Sequence, residues 1–288
     1  MPSPPWRVVG VSVQGTSHRE GGAPCQDAQT YRLLPTGPLV VAVADGAGTA
    51  SRADVGARLA VERAAASLAA DLQSRPRPPS SEAAWRLLML GAFWDARAAL
   101  DEAASAAGIA IKHVSTTLTC AVAADGWLAV GQIGDGAAVA AVAPPGERDG
   151  APGALRTVLR PRRGEYANEV IFLTTGTPEE VLDEVDVRVC AGETTALAVT
   201  TDGLLRLALK LPGHEPHVPF FRPLLTFVEE IAADDRTAVE EELAAFLASA
   251  RVNARTDDDK TLVLATRAAP ARPAATAQVP DTATAMAE

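Results

Sequence analysis

Three apolar, β-type runs in this chain each meet an aspartate. Leu39-Val40-Val41-Ala42-Val43-Ala44 runs into Asp45, and Ala196-Leu197-Ala198-Val199-Thr200-Thr201 runs into Asp202. Asp257-Asp258-Asp259-Lys260 opens directly onto Thr261-Leu262-Val263-Leu264. The first run is apolar at every position, as in a strand buried on both faces. Carboxylates delivered to the mouths of buried strands repel one another and need a compensating cation. Hard divalent cations take oxygen ligands, so the pattern points to Mg²⁺ or Mn²⁺ rather than to zinc or a thiol centre. Gly46 and Gly203 follow the first two acids, and glycine lets backbone approach a ligand closely.

The remaining pattern reads as α+β. Strands are expected at 6–14, 38–44, 115–123, 127–133, 137–142, 155–159, 170–174, 186–190, 195–201 and 261–266. Asp125-Gly126 is a hairpin turn between the third and fourth of these. A helix over 51–73, with Ser51 as N-cap, is broken by prolines 76, 78 and 79. A second helix over 82–107 stops at Gly108, and a third covers 237–250. Residues 144–153 form a Pro/Gly-rich loop. The tail 268–288 is rich in Ala, Pro and Thr without apolar periodicity and is expected to be disordered, leaving 1–267 as one folded domain. Most strands follow one another through short turns, so the pairing is mainly antiparallel and the architecture is a layered sandwich.

Composition narrows the function. The net charge of −10, from 26 basic and 36 acidic residues, lacks the basic footprint of nucleic-acid binding. Aromatics are only 4% within a hydrophobic content of 48%, so alanine, valine and leucine must fill the core. The N-terminus, Met1 to Trp6, lacks a signal-peptide pattern, and no apolar run approaches the roughly 18–20 residues of a membrane span. Cys25, Cys120 and Cys190 are odd in number and widely spaced, which suits free thiols. A cytoplasmic protein without membrane contact is expected.

The acidic segments take on more meaning in order. Cys25-Gln26-Asp27-Ala28, Val43-Ala44-Asp45-Gly46-Ala47-Gly48, Ser115-Thr116-Thr117-Leu118, Gly134-Asp135-Gly136-Ala137, Thr201-Asp202-Gly203-Leu204 and Asp258-Asp259-Lys260-Thr261 occur in this order within residues 8–266. The set resembles the protein phosphatase 2C-type, metal-dependent Ser/Thr phosphatases of bacterial kind. The resemblance implies a four-layer α-β-β-α sandwich of two antiparallel sheets flanked by helices. It implies hydrolysis of phosphoserine and phosphothreonine by metal-activated water, with Asp27, Asp45, Asp202 and Asp258 as catalytic acids. Asp45 would bridge two Mg²⁺ or Mn²⁺ ions, and Gly46 would give its carbonyl to one of them. Asp202 and Asp258 would complete the first site, Asp135 would serve a third, weaker metal, and Asp27 would lie near the metal-bound waters. The substrate would be a phosphorylated protein, a target of a Ser/Thr kinase or the kinase itself.

Such chemistry needs no nucleophilic side chain. Phosphate monoesters hydrolyse among the slowest of uncatalysed reactions, and a pair of cations can both activate water and neutralise the phosphoryl group. The chain departs from the family at three points. Gln26 stands where an acid commonly precedes Asp27. Gly22 stands where a basic residue commonly binds phosphate, leaving His18 and Arg19 as the nearest cations for that role. Arg206 replaces an acid four residues after Asp202. Gln26 and Gly22 support a rival reading, a pseudophosphatase that keeps the fold as a phosphoprotein-binding module. The retained aspartates oppose it.

Overall fold

In a computed structural model the described residues are 6–143, 154–161, 170–230 and 236–267. The chain opens with strand β1 (Trp6–Val13), helix α1 (Thr16–Gly21), and strands β2 (Asp27–Leu33) and β3 (Leu39–Asp45). Two long helices follow, α2 (Ala53–Ser74) and α3 (Glu82–Ala106). Strands β4 (Leu118–Ala124), β5 (Trp127–Ile133), β6 (Ala137–Ala143) and β7 (Leu155–Leu159) come next. Helix α4 (Pro178–Glu184) leads to β8 (Asp186–Ala191) and β9 (Glu193–Thr200). After the one-turn helix α5 (Leu205–Ala208) come the two-residue strands β10 (Leu209–Lys210) and β11 (Glu215–Pro216). Helices α6 (Val218–Glu229), α7 (Arg236–Leu247) and α8 (Ala250–Asn253) precede the last strand, β12 (Lys260–Arg267).

Two five-stranded sheets carry the fold, in the orders β1-β12-β9-β6-β7 and β2-β3-β4-β5-β8. Every pairing within them is antiparallel. Alternation along β3 shows how they stack. Leu39, Val41 and Val43 enter the core between the sheets. Val40, Ala42 and Ala44 face α2 and α3. Strand β12 behaves likewise, with Val263 and Ala265 between the sheets and Leu262 and Leu264 packed toward α6 and α7. The expected four layers are therefore present, and the all-apolar 38–44 run is the signature of a strand buried on both faces. Alanine fills much of the outer core, with Ala57, Ala60, Ala64 and Ala65 of α2 set against Trp85, Met89 and Phe93 of α3.

Some expectations are corrected. Residues 170–174 form no strand; their apolar alternation has another cause, described below. Residues 115–117 precede β4 rather than belonging to it, and Thr116 forms an isolated bridge with Gly46. Ser51 does not cap α2, which follows Arg52 without a side-chain cap. The Ser51 hydroxyl instead lies 3.0 Å from His113 Nδ1. The 237–250 helix is interrupted, and Ser249 caps the separate turn α8. Strand β2 and helices α1, α4 and α6 carry weak periodicity or proline and are not evident in the sequence. The 144–153 loop and the 268–288 tail lie outside the described residues.

Arg267 ends the last described strand. Its guanidinium bonds Glu193 at 3.2 Å and Asp125 at 3.3 Å and stacks 4.7 Å from the Trp6 ring. These contacts tie the end of β12 to β1, β9 and the β4–β5 turn. A chain truncated after Arg267 is expected to melt within about 2 °C of the full-length protein, under ~1 kcal/mol for a domain of this size. Truncation after Leu264, which removes the tie, should lower the midpoint far more. Thermal unfolding of both chains decides; equal midpoints for the two truncations would rule out the Arg267 tie.

Candidate metal centre

Register brings the first acids together. Strand β2 begins at Asp27, and its Cα partner on β3 is Asp45. Gly46 N–H donates to the Gln26 carbonyl at 3.1 Å, continuing that pairing beyond the strand. On the other side of β3 the Ser115-Thr116-Thr117 segment grips the same backbone. Thr117 N and Thr116 Oγ1 both donate to the Asp45 carbonyl, at 2.8 and 2.9 Å. Asp45 N donates to Thr117 Oγ1 at 2.9 Å, and Ala47 N donates to the Ser115 carbonyl at 2.9 Å. Gly46 has no room for a side chain, since a Cβ there would sit 2.6 Å from the Ala53 carbonyl oxygen.

The second sheet supplies the rest. Asp202 follows β9 and begins a single 3-10 turn, Asp202–Leu204. A Cβ on Gly203 would overlap the Asp259 carbonyl, so glycine lets the β12 entry loop close over this turn. Asp135 sits in the β5–β6 turn between Gly134 and Gly136. Gln132, wholly buried, donates through Nε2 to the carbonyls of both glycines, at 3.3 and 2.6 Å. That brace fixes the turn from both sides of the acid.

The result is a cleft of about 170 Å³ that includes His18, Gln26, Asp45, Gly46, Asp135, Asp202 and Asp258 among its lining residues. Asp45, Asp135 and Asp202 each offer a carboxylate oxygen, and these atoms lie within 4.8 Å of one another. The tightest group therefore contains Asp135. Asp258 lines the same cleft, with its Oδ1 accepting from Asp259 N at 2.8 Å. Asp27 lies buried behind, its Oδ2 accepting from Thr201 Oγ1 at 2.7 Å. His18 lines the cleft, whereas Arg19 is exposed on the same helix. Arg206 is exposed and not among the lining residues.

Burial and mutual repulsion act on the cluster together. Desolvation, then the charges of Asp27, Asp202, Asp258 and Asp135, hold Asp45 well above the usual carboxylate range. Asp202 is raised to about 7, first by burial and then by Asp135 and Asp258. Asp27 is raised to about 8, chiefly by burial, against the opposing hydrogen bonds of Thr201 and Thr261. The donor set fits a hard divalent cation: oxygen ligands only, close enough to share one ion, and protonated or strained without one. Gln26 contributes a further sign, a buried Oε1 with no hydrogen-bond partner in a residue that lines the cleft.

Asp259 has a structural role not evident from the sequence. Its carboxylate accepts from Gly15 N at 2.6 Å and Gln26 N at 2.5 Å, and His18 Nδ1 lies 2.9 Å away. It thereby fastens α1 and the start of β2 to the β12 entry. The sequence marks Thr117 and Thr201 only as members of the family segments and Gln132 not at all, because a hydroxyl or amide that braces backbone leaves no periodic mark. The thiols of Cys25, Cys120 and Cys190 are free, and burial raises the pKa of each.

The comparisons agree with this geometry. The family model "Protein phosphatase 2C" matches residues 14–248. The chain is 34% identical over 264 residues to serine/threonine-protein phosphatase 3 of Escherichia coli K12, covering 90% of this chain and 98% of that protein. The fold is similar to that of serine-threonine phosphatase 2C from Toxoplasma gondii, with TM-score 0.59 and 14% identity over 93% of this chain and 98% of the other. It is similar as well to Stp1 from Staphylococcus aureus, with TM-score 0.56 and 14% identity over 92% and 97%. The PstP catalytic domain, solved in complex with two manganese ions, gives TM-score 0.54 and 16% identity over 91% and 98%. By both the family match and the extent of this identity, the chain belongs to the protein phosphatase 2C family.

Proposed function

We propose that the acidic cleft is the centre at which this metal-dependent protein Ser/Thr phosphatase removes phosphate from phosphoserine and phosphothreonine. The observation that carries the reading is the convergence of Asp45, Asp135 and Asp202 within 4.8 Å in one cleft. Asp45, the Gly46 carbonyl, Asp202 and Asp258 would hold two Mg²⁺ or Mn²⁺ ions, and Asp135 would serve a further, weaker one. Bound there, the cations supply Lewis acidity toward water and phosphoryl oxygens. Manganese in the PstP structure supports that choice of metal.

The protein's own groups set the geometry of the reaction. The Thr116–Thr117 and Gln132 braces hold the carboxylates in place, so little reorganisation accompanies reaction. His18, which lines the cleft, and Arg19, exposed on the same helix, are the candidate phosphate contacts. Asp27 lies buried behind Asp45 with Thr201 bonded to its carboxylate, and in its ionised form it would take up the proton that the attacking water sheds. In-line attack forms a P–O bond to water and breaks the ester bond, and the seryl or threonyl oxygen leaves with a proton. The acids are retained at a site where uncompensated charge is costly, so a purely phosphoprotein-binding module is not favoured. The substrate is a phosphorylated protein, a kinase target or the kinase itself. Among the described residues no helix is long and apolar enough to cross a membrane.

The direct test is Mn²⁺-dependent hydrolysis of a phosphothreonine peptide and of p-nitrophenyl phosphate. Turnover should vanish with excess chelator and return with added Mn²⁺; full turnover in chelator would contradict the metal centre. Asp135→Ala should keep the fold but lower turnover at least tenfold, about 1.4 kcal/mol of barrier. Unchanged turnover across a Mn²⁺ titration would make Asp135 a turn residue only.

The raised acids also predict a pH effect with a definite sign. Their unfolded value is 3.8, while folded Asp202 and Asp27 lie at about 7 and about 8. Between pH ~4 and ~8 the cation-free folded state thus binds more protons than the unfolded one, and these groups make it lose stability as pH rises. A cation bound only by the folded state offsets that loss, by about 2.7 kcal/mol at a hundredfold excess over its Kd. The Mn²⁺-induced rise in melting temperature should therefore be larger at pH 8 than at pH 5. Asp202→Asn should raise the melting temperature in chelator at pH 8 and abolish most of the Mn²⁺ response. A lower midpoint for the mutant in chelator would refute the charge-repulsion account.

A further inference from the structure

One wall of the cleft is apolar, and a buried charge holds it from behind. Val170 and Phe172 line the cleft beside Gly46, Ala47 and Gly48. Phe172 packs on Ala47, Ala50 and Ala53, the stretch that follows the metal-binding loop. Ile171 and Leu173 belong instead to the core beneath α2 and α3. This two-sided burial explains the strand-like alternation of 170–174 without a ladder.

Arg97 of α3 anchors the segment. Its side chain is only 6% exposed. Nη1 donates to the Leu173 carbonyl at 3.1 Å, Nη2 to the Gly176 carbonyl at 3.0 Å, and Nε to Asp101 Oδ2 at 3.0 Å. Burying a guanidinium is costly unless its donors are met, and here two of its three nitrogens serve one loop. The fork matters, since a lysine has a single nitrogen with which to replace three. Other ties converge nearby. Leu173 N donates to the Thr116 carbonyl at 2.8 Å, and the Ser115 and Thr174 hydroxyls lie 2.5 Å apart. Ser115 and Thr116 also bind the backbone at Asp45 and Ala47. The acidic floor and the apolar wall are therefore registered on the same residues.

We infer that Arg97 is a positioning residue for substrate recognition: by fixing residues 173–176 it sets the Val170–Phe172 wall against which a phosphopeptide lies. The inference rests on the phosphatase reading of the cleft. A small aryl phosphate needs chiefly the acidic floor, whereas a phosphopeptide uses both surfaces. Because the wall is apolar, it favours peptides with an apolar side chain beside the phosphorylated residue over those with an acidic one.

The test compares wild type, Arg97→Lys and Phe172→Ala on p-nitrophenyl phosphate and on two phosphothreonine peptides of equal length, with leucine or glutamate beside the phosphothreonine. In both variants KM for the leucine peptide should rise about fivefold more than KM for the aryl phosphate. The leucine-over-glutamate preference should shrink, and kcat on all substrates should fall by less than that factor. Parallel losses on every substrate, in step with a lowered melting temperature, would assign Arg97 to stability alone and overturn the inference. If Arg97→Lys does not fold, Phe172→Ala decides: an unchanged KM and preference for the leucine peptide would overturn the wall. Absence of wild-type turnover with Mn²⁺ would instead refute the phosphatase reading. Calorimetric binding of the two peptides to wild type and Phe172→Ala would then decide the wall separately, with equal affinities counting against it.

Discussion

Mutual repulsion among buried carboxylates is the constraint around which this structure is arranged. Burial first, and then the charges of neighbouring acids that include Asp135 and Asp258, raise the proton affinity of Asp45 and Asp202, and burial raises that of Asp27. Left to itself such a group would swell apart or stay protonated. Thr201 and the Asp259 N–H bond the carboxylates of Asp27 and Asp258, while other bonds act on backbone. Thr116 and Thr117 hold the Asp45 peptide units, and Gln132 braces the glycines beside Asp135. Fixing backbone in this way sets where the carboxylates stand.

The scaffold that withstands this repulsion is a pair of sheets buried on both faces. Five-stranded antiparallel ladders place β3 and β9 at interior positions in their sheets. Asp45 and Asp202 stand at or just beyond the ends of those strands, and Asp258 just before β12, the interior neighbour of β9. Small residues serve the same end. Alanines on α2 and in β3 let α2 lie close upon the sheet, while Trp85, Met89 and Phe93 of α3 supply bulk. Ala53, at the first turn of α2, closes on Gly46 so tightly that no side chain fits there. The helix that covers the sheet thus also positions the Gly46 loop at the acidic cleft.

Much of this was legible in the sequence where burial is periodic. An unbroken apolar run ending at Asp45 announces a two-faced strand with an acid at its mouth, and the order of acidic segments carried the family and the fold. Asp135 was harder, because a Gly-Asp-Gly turn resembles any hairpin, and only the Gln132 brace and the approach to Asp45 and Asp202 distinguish it. Strand β2 was hidden because Asp27-Ala28-Gln29-Thr30-Tyr31-Arg32 lies on a sheet edge and is only half-buried. Helix α6 was hidden by proline at its start and within it. The 170–174 segment misled in the opposite sense. It alternates because one side meets the cleft and the other the core, not because it pairs.

The run Asp257-Asp258-Asp259 shows why residue type alone assigns roles poorly. These neighbours share a loop and a charge, yet do different work. The Asp257 carbonyl accepts from Ser17 N and Oγ, at 3.0 and 2.8 Å, holding the start of α1. Asp258 lines the cleft. Asp259 is buried, and its two oxygens are met by Gly15 N, Gln26 N and the His18 ring. Successive residues entering a strand point to opposite sides, so a ligand and a brace can stand next to each other only if both acids are kept. The brace leads directly to Gln26, the residue at which the chain departs from its family's usual acid. Its backbone is fixed by Asp259, and its Oε1 is buried without a partner. A neutral amide there removes one charge from a crowded site while keeping an oxygen acceptor beside the cleft, a compromise consistent with the repulsion that governs the rest.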